Sequence, residues 1–139
     1  MAKQVYVTIK KNDFLRLQKA APAQANKALR AVAQEGVNIA KQSMLDSPAT
    51  GRLYMRGGKV HRASAPGEAP RPDTGTLLNL LRWEEASKLV MLIIAATEYA
   101  YPLEFGNGKI AARPFMGPMA RKLESGIMTQ AFDKFLEDV

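Results

Sequence analysis

The sequence predicts an α+β domain in which a small, mostly antiparallel sheet packs against a long helix in the N-terminal half and a C-terminal helix. Two observations support this prediction. Apolar residues recur at steps of three or four over 23–45 and 114–137, and they alternate or run continuously over 4–10 and 89–96. A chain of 139 residues is the size of one domain, so we expect a single domain over 1–139.

The first half of the chain is predicted to begin with a strand over 4–10, where β-branched residues take alternate positions. A short helix around Phe14 and Leu17 follows. The clearest helix covers 23–45, and its apolar stripe is rich in alanine, which lets a neighbouring element approach closely.

Residues 47–76 form an extended loop insertion with five glycines and four prolines. Structureless loops of this length are uncommon in compact domains. Within it, 52–56 and 59–63 can pair as a hairpin that turns at Gly57-Gly58. Leu53, Tyr54 and Met55 need cover, because burial of one such side chain contributes roughly 1.5–3 kcal/mol. Either a partner supplies that cover or the loop folds back on its own domain.

The second half is predicted to start with a helix capped by Asp73 or Thr74. A strand edge over 82–86 and a buried central strand over 89–96 come next. A short aromatic segment then ends at Gly106-Asn107-Gly108, and Pro114 stands near the first turn of the last helix, which we expect to reach about residue 137.

Charge is uneven along the chain. The formal net charge is +7, with +5 over 1–46, +4 over 47–72 and −2 over 73–139. This distribution suits contact with polyanions or the packing of basic faces on acidic ones. The longest apolar run is too short to span a bilayer, and the N-terminus lacks a secretory pattern, so we expect a soluble protein made in the cytoplasm.

The composition excludes much enzyme chemistry. The chain has no cysteine and one histidine, His61, and it lacks phosphate-binding glycine motifs. The acidic pairings are Glu84 with Glu85, whose side chains would point to opposite faces of a strand, and Glu98 with Glu104. We therefore expect no enzyme, no catalytic residue, no metal and no cofactor. A metal-dependent hydrolase using Glu84, Glu98 or Glu104 is the least favoured alternative.

The basic part of the loop suggests contact with nucleic acid. Arg52, Arg56, Lys59 and Arg62 surround one aromatic residue, Tyr54. This pattern fits a small nucleic-acid-binding module, and it equally fits a solvated loop.

Several segments together resemble one protein family. They are Ser47-Pro48-Ala49-Thr50-Gly51-Arg52-Leu53, Ala63-Ser64-Ala65-Pro66-Gly67-Glu68-Ala69-Pro70, Asp73-Thr74-Gly75-Thr76-Leu77, Thr97-Glu98-Tyr99-Ala100-Tyr101-Pro102-Leu103-Glu104-Phe105-Gly106 and Ala112-Arg113-Pro114-Phe115-Met116-Gly117-Pro118. The chain resembles the head–tail joining, or tail-completion, proteins of long-tailed bacteriophages, the minor tail components of the lambda protein Z type. The resemblance covers about residues 24–135. The basic Pro/Gly segment is an insertion relative to the short form of the pattern.

The resemblance implies a structural virion protein, of phage or prophage origin, that forms a ring at the head–tail junction around the DNA passage. We expect a hexamer whose partners are the connector or stopper and the tail-terminator or tail-tube proteins, with no membrane. Arg52, Arg56, Lys59 and Arg62 could contact DNA without reading its sequence. The expected subunit or partner contacts are Leu53, Tyr54, Met55, Tyr99, Tyr101, Leu103, Glu104, Phe105, Arg113 and Phe115. Glu104 and Arg113 are expected to pair, within or between subunits.

Overall fold

A computed structural model of the chain describes residues 5–9 and 22–127. These residues contain five strands and four helices. In chain order they are β1 (Val5–Ile9), α1 (Pro22–Leu45), β2 (Leu53–Arg56), β3 (Lys59–Arg62), α2 (Thr76–Leu80), β4 (Leu81–Ser87), β5 (Val90–Ala95), α3 (Ala100–Phe105) and α4 (Met116–Lys122). The chain continues from α4 through Leu123–Ile127 and kinks at Gly126, which has a φ of 154°.

The main sheet has three antiparallel strands in the order β1-β5-β4. The central strand is β5, because its continuous apolar sequence can be buried on both faces. Met91, Ile93 and Ala95 alternate along β5 and are fully buried. Leu89, in the turn before β5, has a positive φ of 63°.

Helix α1 packs against β4, β5 and α4. Its alanines make the close packing possible, and Gly36 lies at the tightest point. A Cβ atom on Gly36 would stand 2.5 Å from Ile93 Cδ1 and 3.0 Å from Leu123 Cδ1. The core thus lies between α1, one face of the sheet and α4; its largest fully buried side chains include Leu29, Met44, Met91, Phe115, Met116 and Met119.

The predicted fold class is confirmed, and so is the long helix, which begins one residue earlier than expected. The hairpin is also present, with β2 and β3 paired around Gly57 and Gly58. The cap proposed for α2 is wrong: Gly75 occupies the N-cap with φ 79° and no side-chain hydrogen bond. The short helix around Phe14 and the part of the last helix beyond residue 127 lie outside the described residues.

Candidate functional site

The β2–β3 hairpin has two chemically different faces. Directly opposed residues of an antiparallel pair lie on the same face, and successive residues of one strand lie on opposite faces. One face, here called the inner face, carries Tyr54, Arg56, Lys59 and His61. The other, the outer face, carries Leu53, Met55, Val60 and Arg62. Met55 and Val60 form a cross-strand pair and are 66% and 65% exposed.

The inner face is held to the segment before α2 by Asp73. Arg56 forms an ion pair with the Asp73 carboxylate, the Tyr54 hydroxyl donates a hydrogen bond to it, and His61 Nδ1 lies 3.7 Å from its Oδ1. The rings of Tyr54 and His61 stack with centroids 5.6 Å apart. Burial raises the pKa of Asp73, but the hydrogen bonds from Arg56 and Tyr54 outweigh it, so the net pKa lies below the ordinary value. Burial and the contact with Asp73 raise the pKa of Tyr54.

The loop insertion is folded back on its own domain around the base of this hairpin. The Glu68 carboxylate accepts hydrogen bonds from the Thr50 hydroxyl and from the backbone N–H groups of Thr50 and Ala65. These bonds, the one from the Thr50 hydroxyl above all, lower the pKa of Glu68. The Ser47 hydroxyl donates to the Ala69 carbonyl at 2.6 Å, and Arg71 donates to the Ser47 carbonyl at 3.0 Å. The Gly67 N–H also donates to the Ala112 carbonyl at 2.9 Å, which ties the insertion to the rest of the domain. Tyr54 is thus half-buried within its own chain, whereas Leu53 and Met55 stay 53% and 66% exposed and are not covered by it.

Helix α3 also presents two faces. Tyr99 and Leu103, four residues apart, point toward a cleft that separates α3 from the hairpin. Tyr101 and Phe105 are again four residues apart, and they occupy nearly the opposite side, because two residues correspond to about 200° of helical turn. Their ring centroids are 4.9 Å apart, and Phe105 is 61% exposed.

The cleft between the hairpin and α3 has a volume of about 650 Å³. Tyr54 and Arg56 of the inner face form one wall, and Tyr99 and Leu103 of α3 form another. Arg113 also lines it. The outer face of the hairpin and the Tyr101–Phe105 pair, in contrast, both point away from it.

Glu104 holds the corner between α3 and α4. The residue is 6% exposed, and its carboxylate accepts hydrogen bonds from the backbone N–H groups of Phe115, Met116 and Gly117 at 2.8, 2.9 and 2.8 Å. The first N–H groups of a helix lack partners within the helix, and a carboxylate placed there satisfies them and suits the helix dipole. A Cβ atom on Gly117 would stand 3.1 Å from Glu104 Oε1, so glycine permits this approach.

Two predictions about the site residues are therefore wrong. The expected Glu104–Arg113 pair is wrong, because the Glu104 carboxylate is occupied by backbone donors and Arg113 Nε donates instead to the Ser64 carbonyl at 3.1 Å. Phe115 was expected at an interface, but it is 1% exposed and belongs to the core. Leu103 is half-buried against the core and still faces the cleft.

The four candidate DNA contacts do not share one face. Arg56 points inward and is paired with Asp73, and Lys59 is on the same face at the exposed turn. Arg62 lies on the outer face, where it donates to the Gly51 carbonyl at 3.2 Å, and Arg52 is exposed at the hairpin base.

Sequence reasoning missed the roles of Asp73 and Glu68. Both are acids flanked by glycine, proline or threonine, which is typical of loops and caps. Their partners, Arg56 and Thr50, are 17 and 18 residues away in the chain. The predicted hairpin offered the one available signal, since it brings Arg56 back toward the body of the domain.

Over 5–9 and 22–127, no three histidine or acidic side chains are grouped so that they could hold a metal ion. In the same residues, no helix has the length and apolar character needed to cross a membrane. The chain matches no family model, no curated protein and no solved structure.

Proposed function

We propose that this chain is a structural protein of a tailed bacteriophage or prophage that forms a ring, a hexamer, at the head–tail junction around the DNA passage. It is made in the host cytoplasm, resides in the virion and is not an enzyme. Its partners are further copies of itself, the connector or stopper on one side and the tail-terminator or tail-tube protein on the other.

One observation carries this proposal: residues 97–118, which contain two of the segments of the resemblance, build a rigid platform with exposed aromatic rings. Within 97–118, the Glu104 carboxylate fixes α4 to α3 through three backbone hydrogen bonds. Arg113 N donates to the Leu103 carbonyl at 2.6 Å, which holds the returning chain against α3. Tyr101 and Phe105 stay at the surface of this platform. Aromatic side chains on a preorganised surface lose little entropy on binding and are typical of protein interfaces.

The exposed cations suit the DNA passage. Arg52 and Lys59 lie at the hairpin surface, outside its outer face, where they could meet phosphates without reading bases. Weak, sequence-independent contact is what a passage for sliding DNA requires.

The test is genetic and structural. In the phage or prophage that encodes the chain, deletion of its coding sequence should leave filled heads and separate tails, and supply of the wild-type chain should restore joined particles. Negative-stain images of the purified protein, alone or with its connector, should show rings with an axial opening. Joined, infectious particles in the deletion strain would refute the proposal.

A small nucleic-acid-binding module is the second candidate, and the exposed Arg52, Lys59 and Arg62 favour it. It predicts micromolar duplex binding that falls steeply with salt, since each neutralised phosphate releases counterions. Replacing these three residues by Ser should abolish that binding. If the triple variant still joins particles as the wild type does, the DNA contact has a minor role. If the triple variant loses DNA binding and the wild-type chain forms no ring under any condition, the nucleic-acid-binding module is favoured.

A further inference from the structure

We infer that the outer face of the hairpin in one copy docks on the Tyr101–Phe105 pair of α3 in a second copy. Each copy therefore joins the next through two different surfaces. This docking rests on the proposed function, because it supplies the contact through which the ring would close.

The two surfaces are apolar, exposed and too far round the molecule to cover each other. Met55, Val60 and Phe105 are each more than 60% exposed. The hairpin's inner face and the Tyr99–Leu103 side of α3 line the cleft, so the outer face and the Tyr101–Phe105 pair both point away from it. Contact between them within one chain would require the hairpin to leave Asp73. Contact between two chains requires no rearrangement.

The chemistry of the surfaces is complementary. Methionine sulfur packs favourably against aromatic rings, and Met55 is the most exposed apolar side chain of the outer face. Arg62 lies on the same face, and an arginine over a tyrosine or phenylalanine ring gains cation–π attraction. Glu98 is exposed and lies three residues before Tyr101 in the chain, so an acid accompanies the α3 surface.

Charge also selects head-to-tail contact over contact between identical surfaces. Residues 51–63 contain four cations and no acid. Two outer faces packed together would place Arg62 of both copies side by side in hairpins that carry no acid, and two α3 surfaces would bring Glu98 of both copies together. A hairpin on α3 pairs the opposite charges. Such a heterologous contact generates a ring where the rotation closes.

Two variants and their mixture test this arrangement. Val60→Asp places a charge in the hairpin surface, and Phe105→Asp places one in the α3 surface. Each should raise the dissociation constant for self-association at least 100-fold in sedimentation velocity or mass photometry. Leu45→Asp is the matched control, because Leu45 is 50% exposed at the end of α1, outside both surfaces; it should change the constant by less than threefold.

The mixture distinguishes the possible geometries. Each variant keeps one intact surface, so an equimolar mixture should form one-to-one dimers and nothing larger. Dimers in the mixture also demonstrate that both variants are folded. Three outcomes would each refute the docking. Either variant assembles as the wild type does, the mixture stays monomeric, or the wild-type chain stays monomeric at all concentrations. The proposed function has its own readout, joined particles in the complemented deletion strain, so rings that tolerate both substitutions would refute the docking alone.

Discussion

Replacement of Glu104 by alanine should be strongly destabilising. The change leaves three backbone N–H groups without their acceptor, and two of them belong to the buried residues Phe115 and Met116. A buried donor without a partner costs about 1–3 kcal/mol. The N–H of Gly117 is at a half-buried residue and can be hydrated. We therefore expect a loss of about 3–4 kcal/mol in the free energy of unfolding, a large part of the roughly 5–15 kcal/mol typical of a domain.

The Gln variant gives a graded intermediate. Glu104→Gln keeps one carbonyl oxygen as an acceptor but turns the second position into a donor that faces another donor. We expect this change to cost about 1–2 kcal/mol, since one of the hydrogen-bond positions is lost.

Urea unfolding followed by circular dichroism measures both effects. Glu98→Gln is the matched control, because Glu98 is exposed and an exposed substitution shifts stability by about 0.5 kcal/mol or less. If Glu104→Ala costs no more than this control, the carboxylate does not cap α4 and the account of the rigid platform fails.

Three further outcomes are expected. Gly36→Ala should lower the free energy of unfolding in urea by about 1 kcal/mol, because the new methyl group meets Ile93 Cδ1. Ile93→Val removes that atom, so the double variant should be less destabilised than the sum of the two single variants. Strict additivity would contradict the close approach. The pKa values of Asp73, Glu68 and Glu85 are all lowered, in Glu85 by hydrogen bonds from Asn26 and Arg30 of α1. The stability they contribute is present above about pH 4 and is lost as pH falls through their folded values, so thermal unfolding from pH 7 to 3 without such a loss would argue against these contacts. Asp73→Asn should speed tryptic cleavage in the hairpin several-fold, because the hairpin loses its ion pair with Asp73, and should leave cleavage at the exposed Arg30 unchanged. If the variant and the wild type are cleaved in the hairpin at the same rate, Asp73 does not hold the hairpin.

The long helix and the central strand could be predicted because their apolar periodicity is local. Ala25, Leu29 and Met44 fall on one stripe of α1, and the structure buries all three. The run over 89–96 was short, β-branched and continuous, which favours a central strand. The hairpin followed from two adjacent glycines, both of which have positive φ.

The role of Glu104 could not be predicted, because its partners are backbone groups brought near by the fold. A sequence shows which side chains carry charge, and the ordinary expectation for a glutamate is exposure or an arginine partner. The N–H groups at the start of α4 lie 11 to 13 residues further along the chain and belong to no motif. The same limit applies to Asp73, for which the local pattern predicted a helix cap and the tertiary fold supplied Arg56.

The single tryptophan gives this chain an internal optical probe. Trp83 of β4 is half-buried against the core, and its indole Nε1 donates to Gln34 Oε1 of α1 at 3.0 Å. Its emission therefore depends on whether the long helix is seated on the sheet. Neither the hairpin's outer face nor the Tyr101–Phe105 pair includes this ring. Fluorescence thus follows unfolding of a subunit and leaves the joining of intact subunits to methods sensitive to mass.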